Sequence, residues 1–513
     1  MTHDTVLKCA SLQHFNTANG MLAGSVNGAI LSWHYQANFA TLFFMSLSSN
    51  SESMSTLPTK RKIGLVSLGC AKNLVDAEIL LGNAMVHGYE LTQENDDADV
   101  VLVNTCGFID PAKEESINAI LEAHRRRLHG AKPGQKLVVG GCLSQRYSTN
   151  LAEQLPEVDA FLGLDEISRA GEIFNRLFDE EAGDGPQVTV SRRAAYIPDF
   201  DTPRVRLTAA HKTYVKIAEG CNHPCSFCVI PRMRGRHRSR TIESVVKEVE
   251  ALVASGVKEI NLVSQDTTYF GMDLWEEKAG PRQPVDETRG VSLVGLLDAL
   301  GKIPGDFWIR LLYTHPAHWS DSLIEAIARN PKVARYIDMP LQHIHEEMLS
   351  AMKRETGRQH IVDLIDRLRA GIPDLTIRTT FIVGFPGETE EHFESLLDFI
   401  RETRFERLGV FAYSREEESR AAKMPNQIHG NTKQRRLREA MLLQQKIARE
   451  WAEAQIGKTI KVLADTNLLG RTEGDAPDVD CRVHFTKPVT AGSFVSSTVT
   501  GTQDYDLIAT PVS

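Results

Sequence analysis

Cysteine is scarce in this chain, with eight in 513 residues. So few thiols, gathered in motif-like settings, exclude a disulfide framework and point to metal binding in a reducing, cytoplasmic compartment. Long apolar runs are also missing. No stretch has the roughly 18 consecutive apolar residues of a membrane span, so no membrane association is expected. A basic excess is missing too: the formal net charge is −9, whereas general polyanion binders draw most of their affinity from cationic contacts to phosphate. Residues 9–50 contain no Lys, Arg, Asp or Glu at all. They lack the basic start and single apolar core of a secretory signal. Residues 1–60 are expected to be a disordered extension, or translated sequence upstream of a start at Met54. Cys9 and Cys481 have no partner at motif spacing and are read as incidental.

What is present is an ordinary globular composition, 42% hydrophobic and 24% charged. The length suggests about three domains. The densest chemical signal is Glu219-Gly220-Cys221-Asn222-His223-Pro224-Cys225-Ser226-Phe227-Cys228, three thiols at C-x3-C-x2-C spacing. Three thiolates can hold three irons of a [4Fe–4S] cubane, which normally takes four Cys ligands, so one iron stays open to a small molecule. A zinc knuckle is the alternative; it needs a fourth Cys or His close by, and His223 inside the loop is the one at hand. Phe227 is placed to cover such a cluster from solvent.

Upstream, Lys62-Ile63-Gly64-Leu65-Val66-Ser67-Leu68, Asp99-Val100-Val101-Leu102-Val103 and Lys136-Leu137-Val138-Val139 read as strands, with helical patterns between them, one over residues 111–127. Strand–helix alternation predicts a parallel sheet. Cys70, Cys106 and Cys142 follow these strands at equal intervals of 36 residues (106 − 70 and 142 − 106), each beside a glycine: Gly69, Gly107 and Gly141. Ligands of open α/β sheets lie outside the carboxyl ends of the strands. The three thiols therefore converge on one edge, either as a second three-thiol cluster site or as three unrelated buried cysteines.

The polar stretch 181–206 is expected to be a linker or peripheral hairpin. From 207 to 450, strand candidates at residues 214–218, 259–264, 308–313, 336–339, 376–383 and 408–413 alternate with helices, including 241–255, 360–370 and a long polar one at 432–455. Six such units predict an incomplete (β/α) barrel with its chemistry at the strand carboxyl ends. Those ends carry Gln265-Asp266, His315, Gln342-His343 and Gly384-Phe385-Pro386-Gly387-Glu388. The last reads as a loop bringing backbone amides to a ligand, or as a Gly/Pro turn with no ligand; His343 reads as an acid/base group or a structural histidine. Arg232, Arg234, Arg236, Arg238 and Arg240 form a dense basic run, suited to planar anions or simply a solvated face. Residues 451–513 alternate short β-type runs with turns, as in a small β-barrel. That tail carries more acid than base, which suits a basic protein partner better than RNA.

The cluster loop resembles the C-x3-C-x-aromatic-C signature of radical S-adenosylmethionine (SAM) enzymes. With Ser67-Leu68-Gly69-Cys70-Ala71-Lys72-Asn73-Leu74-Val75-Asp76, Val103-Asn104-Thr105-Cys106-Gly107-Phe108-Ile109-Asp110, Ser264-Gln265-Asp266-Thr267-Thr268, Pro340-Leu341-Gln342-His343 and Gly384-Phe385-Pro386-Gly387-Glu388-Thr389-Glu390, the chain from about Arg61 onward is similar to the methylthiotransferase family. The resemblance implies an N-terminal α/β domain with a parallel sheet (61–180), a central incomplete radical SAM barrel (207–450) and a C-terminal TRAM-like β-barrel (451–513). It implies two [4Fe–4S] clusters, on Cys221, Cys225 and Cys228 and on Cys70, Cys106 and Cys142. SAM would meet Gln265, Gln342, Gly384, Gly387, Glu388 and Arg234, with no catalytic residues beyond the cluster ligands. The runs Lys-Asn-Leu-Val-Asp, Cys-Gly-Phe-Ile-Asp and Leu-Gln-His are similar to the branch that methylthiolates an aspartate β-carbon in small-subunit ribosomal protein S-twelve. The other branch acts on a hypermodified adenosine beside the tRNA anticodon. In this family the first cluster generates a deoxyadenosyl radical from SAM and the second supplies sulfur. A flavodoxin- or ferredoxin-like electron donor and a sulfur donor are implied as partners, and no direct nucleic-acid substrate.

Overall fold

The computed structural model describes residues 60–179, 185–280 and 282–512. The expectations for residues 1–59, including Cys9 and Met54, lie outside the described residues. The first unit is a six-stranded sheet of β1 (Lys62–Ser67), β2 (Glu90–Leu91), β3 (Val100–Thr105), β4 (Lys136–Gly141), β5 (Ala160–Leu162) and β6 (Gln187–Thr189), in spatial order β2-β1-β3-β4-β5-β6. Every pairing is parallel. The apolar run of β3 is buried along its whole length, as a central parallel strand must be. Helices Ala71–Val86, Asp110–His129 and Cys142–Gln154 follow β1, β3 and β4. Strands β2, β5 and β6 were not expected from the sequence, because two or three residues are too few to show a period.

β6 also corrects the expected linker. Gln187–Thr189 joins the sheet beside β5. Beyond it, the Asp165 carboxylate accepts from the amides of Ala195 and Tyr196, at 2.8 and 2.9 Å. Arg204 then pairs with Glu78 on the Ala71–Val86 helix. Much of the 181–206 stretch is therefore tied to the first unit rather than spanning freely between units.

The second unit contains β7 (Lys212–Lys216), a short antiparallel pair β8 (Ala218–Glu219) and β9 (Arg238–Ser239), then β10 (Glu259–Val263), β11 (Trp308–Leu311), β12 (Val333–Asp338), β13 (Thr376–Val383) and β14 (Arg407–Ala412). Its main sheet runs β14-β13-β12-β11-β10-β7, all parallel, with no pairing between β7 and β14. This is the expected open barrel. One continuous apolar core joins these strands to the surrounding helices. The helix Ile242–Ala254 starts where the sequence places it, with Thr241 capping the Ser244 amide. The third unit is a closed barrel of β15 (Thr459–Ala464), β16 (Leu469–Thr472), β17 (Val483–Phe485), β18 (Phe494–Gln503) and β19 (Asp506–Pro511), in order β15-β16-β17-β19-β18. No helix among the described residues is long and apolar enough to cross a membrane.

Two sets of contacts place the units. At the carboxyl ends of the barrel strands sits the first unit: Lys113 and Arg146 reach Glu416 at 3.0 and 2.7 Å, and Lys72 Nζ donates to the Ser264 carbonyl at 3.4 Å. Elsewhere, β16 and the loop after it in the third unit meet side chains from all six barrel strands. Lys212 pairs with Asp478 (3.2 Å), Glu259 with Arg471 (2.7 Å) and Arg407 with Asp475 (2.6 Å). Arg310 donates to the Glu473 carbonyl (2.6 Å), Tyr336 to Asp480 (2.7 Å), and Arg378 pairs with Asp480 (3.3 Å). The acidity of the tail is thus largely consumed inside the molecule, and the expectation that it presents a surface for a basic partner is corrected.

Candidate active site

The three strand-end cysteines are brought together by main-chain locks. Gly69 and Gly141, each just before a cysteine, have φ of +91° and +92°. A Cβ on Gly141 would lie 2.5 Å from the Thr105 carbonyl oxygen, and one on Gly69 would lie 3.0 Å from Cys106 Cβ. Only glycine permits that conformation and that approach. Asn73 Nδ2 donates to the carbonyls of Leu68 (2.6 Å) and Thr105 (3.2 Å), and Asn104 Nδ2 donates to the Asn73 carbonyl (2.7 Å). Thr105 Oγ1 donates to the Gly140 carbonyl, and Ser116 Oγ accepts from the Cys106 amide at 2.9 Å. These bonds fix the turns after β1, β3 and β4 against one another.

The other three thiols lie on the loop after β8. The Cys221 amide donates to the Gly235 carbonyl (3.1 Å), and Ser226 anchors the loop through its amide to Met352 and its hydroxyl to Ala351. Arg354 Nη1 donates to Cys225 Sγ at 3.6 Å, and its Nη2 to the Pro340 carbonyl. Phe227 packs on a cluster that includes Met352, Phe385 and Tyr413, so it seats the loop against the 384–388 turn. Val229 and Met233, just past the loop, share one buried cluster with Cys142. The two thiol sets therefore face a common interior between the first unit and the barrel.

Neither set has single-ion spacing. The sulfurs of one tetrahedral zinc ion sit about 3.8 Å apart, from Zn–S bonds of about 2.3 Å. Among the described residues, the one group of three His, Cys, Asp or Glu ligand atoms within 4.8 Å of one another is His223, His315 and His318. A multi-iron cluster takes its thiolates on separate irons, so it does not require that close spacing. The thiols also work against one another's ionisation. Burial, then Cys142 and Cys70, push the Cys106 thiol up to about 12. Burial and Cys225 push Cys228 up to about 12, and burial with Cys228 and Cys225 raises Cys221 well above its usual value. Cys70 is exposed, yet the surrounding protein still opposes its ionisation; Lys72 and Arg234 outweigh that and lower it. Neighbouring thiols that oppose one another's ionisation suit a multivalent cationic partner.

The histidine group is a proton-holding network. His223 Nε2 lies 2.7 Å from Asp266 Oδ2 and 3.2 Å from His318 Nε2, and its Nδ1 lies 3.1 Å from Glu355. Burial opposes charge on His223, but Asp266 and Glu355 outweigh it and raise the imidazolium to about 10. A cationic His223 satisfies both carboxylates without an ion. His315, an expected site candidate, stacks on His223 with ring centroids 3.7 Å apart.

The other sequence-predicted residues divide. Gln265 Nε2 donates to Glu219 (2.7 Å), while its buried Oε1 has no protein partner and is available to a ligand amino group. Gln342, at φ +74°, sits at the carboxyl end of β12 with its amide on Thr380 and its carbonyl on Ile382. The 384–388 turn is closed on itself: the Gly384 amide donates to Glu388 Oε2, the Gly387 amide to the Asn426 carbonyl (2.9 Å), and Arg436 pairs with Glu388. These amides and that carboxylate shape the turn rather than offer themselves outward. Gly387 alone of the pair has open space where a Cβ would stand; Gly384 is crowded by Lys433. His343 accepts from the amides of Ile344 and His345, the structural reading.

The basic run dissolves into the fold. Arg238 caps the carbonyls of Arg234, Arg236 and Tyr196, and Arg240 binds Ser244, Glu248 and the Lys216 carbonyl. Arg232 and Arg236 are exposed. Arg234 is 2% exposed and turned inward. Its Nη1 donates to both oxygens of Glu219, at 3.1 Å each, and its Nη2 to Asp76 (2.9 Å) and to Cys142 Sγ (3.2 Å). Those acceptors leave no Nη hydrogen for a SAM carboxylate, so the expected role of Arg234 is corrected. Lys72, Asp76, Lys216 and Glu219 were missed as a group. A signal for Lys72 and Asp76 existed: they stand four apart just after Cys70, on one face of a helix.

Three family models match the chain: an uncharacterized protein family, UPF0004, over residues 62–163, the radical SAM superfamily over 215–400, and the TRAM domain over 456–512. A ribosomal protein uS12 methylthiotransferase RimO of Opitutus terrae is 56% identical over 454 residues, covering 88% of this chain and 96% of its own. The RimO of Akkermansia muciniphila is 53% identical over 449 residues, with coverage of 87% and 99%. That of Desulforamulus reducens is 45% identical over 455 residues, with coverage of 87% and 98%.

Proposed function

The chain belongs to the RimO family of ribosomal protein uS12 methylthiotransferases, within the radical SAM superfamily, and from this premise we propose that it methylthiolates the β-carbon of an aspartate in ribosomal protein uS12. The observation that carries this reading is the 56% identity to a RimO across 96% of that protein. Similarity of that extent covers most of both chains.

Cys221, Cys225 and Cys228 would hold the radical-generating [4Fe–4S] cluster, and Cys70, Cys106 and Cys142 the auxiliary one. When bound, the clusters and SAM supply the one-electron chemistry and the transferable sulfur that no side chain here can provide. The chain's own work is placement. The Asn73 and Asn104 bonds hold the strand-end thiols, Ser226 and Phe227 seat the loop, and the buried cluster of Val229, Met233 and Cys142 keeps the two sites facing one interior. Gln265 Oε1 is an acceptor for the SAM amino group, with Gln342 and the open face of Gly387 completing the same strand-end rim. A flavodoxin- or ferredoxin-like electron donor and a sulfur donor are the required protein partners, and a ribosomal substrate places the reaction in the cytoplasm.

The test is an anaerobic turnover with reconstituted enzyme, SAM, a reductant and sulfide, offering small ribosomal subunits and tRNA in parallel. A gain of one methylthio group in the intact mass of uS12 is expected. The same gain on tRNA alone would overturn the substrate assignment while leaving the radical SAM enzyme standing.

A further inference from the structure

Arg234 hydrogen-bonds a sulfur of one thiol set and a carboxylate beside the other. It follows the cluster loop in sequence, yet its Nη2 donates to Cys142 Sγ of the other set at 3.2 Å. Its Nη1 holds Glu219, two residues before Cys221, and the same Nη2 holds Asp76 on the helix that begins just after Cys70. Lys216 pairs with Asp76 and Glu219 as well. Two cations and two carboxylates thus balance among themselves, and all four are buried, each 6% exposed or less. The bond to Cys142 comes on top of that balance. It is not needed to neutralise the carboxylates, and it directs a fixed cation at a sulfur that the proposed function assigns to the auxiliary cluster.

A hydrogen bond and a buried positive charge at a ligand sulfur favour the more electron-rich state of an iron–sulfur centre, so they raise its reduction potential. Arg rather than Lys suits the place, because one planar fork serves Glu219, Asp76 and the sulfur together. The loop set has a weaker counterpart: Arg354 stands 3.6 Å from Cys225. We propose that Arg234 is a positioning residue that acts through Cys142, raising the reduction potential of the auxiliary cluster relative to the radical-generating one and fixing the distance between their loops. This rests on the reading of Cys70, Cys106 and Cys142 as cluster ligands.

The experiment uses the full chain carrying Cys221→Ala, Cys225→Ala and Cys228→Ala, reconstituted anaerobically with iron and sulfide so that only the auxiliary cluster forms. Its midpoint potential is read by electron paramagnetic resonance during a redox titration, with and without Arg234→Gln. The expected result is a midpoint moved to lower potential by Arg234→Gln at unchanged iron content, with Arg234→Lys moving it less. Superimposable midpoints at equal iron content overturn the proposal and leave the cluster assignment intact. If Arg234→Gln does not fold, pulsed resonance on the parent chain labelled with nitrogen-15 arginine decides: a guanidinium coupling to the reduced cluster supports the proposal, and its absence overturns it. A parent chain that binds no iron would overturn the cluster assignment together with the proposal, and the iron count separates that failure from the others.

Discussion

The two thiol sets are built in opposite ways. Cys221, Cys225 and Cys228 sit within one eight-residue loop, so chain connectivity alone keeps them near each other. Cys70, Cys106 and Cys142 come from three strand ends and meet only because β1, β3 and β4 pair in parallel register and Asn73, Asn104 and Thr105 lock the turns. A local set pays little loop-closure entropy, while a distributed set depends on the fold that gathers it. The distributed site should therefore be sensitive to backbone changes that the local site ignores.

The sharpest separation is in product formation. Cys225→Ala should abolish both 5′-deoxyadenosine release and methylthiolation, whereas Cys106→Ala should keep the first and lose the second; chromatography of the two products checks this. A backbone change should divide the sets almost as cleanly. Gly141→Ala adds about 1–3 kcal/mol of local strain and a clash with Thr105, so about half the iron of two [4Fe–4S] clusters should be lost, from the distributed set alone, by Mössbauer spectroscopy. A change away from both sets should discriminate between neither. Asp475→Ala leaves Arg407 buried without its carboxylate, costing about 3–5 kcal/mol in chemical unfolding while both sites still bind iron.

A milder, pH-dependent loss should arise at Glu259. Burial works against its charge, but Arg471 and Arg310 outweigh burial and hold its carboxyl below the usual range. Its contribution is then complete above about pH 4.3, the unfolded value, and is lost as pH falls through the lowered folded value. Glu259→Gln should flatten that acid limb of the unfolding midpoint, again without distinguishing the two sets. The smallest effect is expected from Arg232→Ala and Arg236→Ala, both at exposed positions, which should leave SAM cleavage and iron content unchanged.

The architecture was legible because its signals are long and periodic: six buried strands alternating with helices in the barrel, and three strand–cysteine repeats before it. The strands missed in the first unit, β2, β5 and β6, are two or three residues long and have no readable period. The gathering of Cys70, Cys106 and Cys142 at one sheet edge could be read from their places after the strands, while a ligand role for them rests on the resemblance. The basic run could not be read in this way, because charge along a sequence does not say which way a side chain turns. Arg234, Arg238 and Arg240 point into the protein to satisfy carbonyls, carboxylates and a thiol, while Arg232 and Arg236 face out. The acidic tail misled for the same reason: Asp475, Asp478 and Asp480 meet barrel side chains hundreds of residues or several elements away in sequence.

The most direct test of the two-site account is the iron content of three anaerobically reconstituted full-length proteins: the parent, the Cys70/Cys106/Cys142→Ala variant and the Cys221/Cys225/Cys228→Ala variant. The account predicts about eight irons per chain in the parent, as two [4Fe–4S] clusters, and about half that in each variant, with Mössbauer parameters of a single cubane. Full iron retention in either variant, or loss of all iron in the Cys70/Cys106/Cys142→Ala protein, would contradict two independently held clusters.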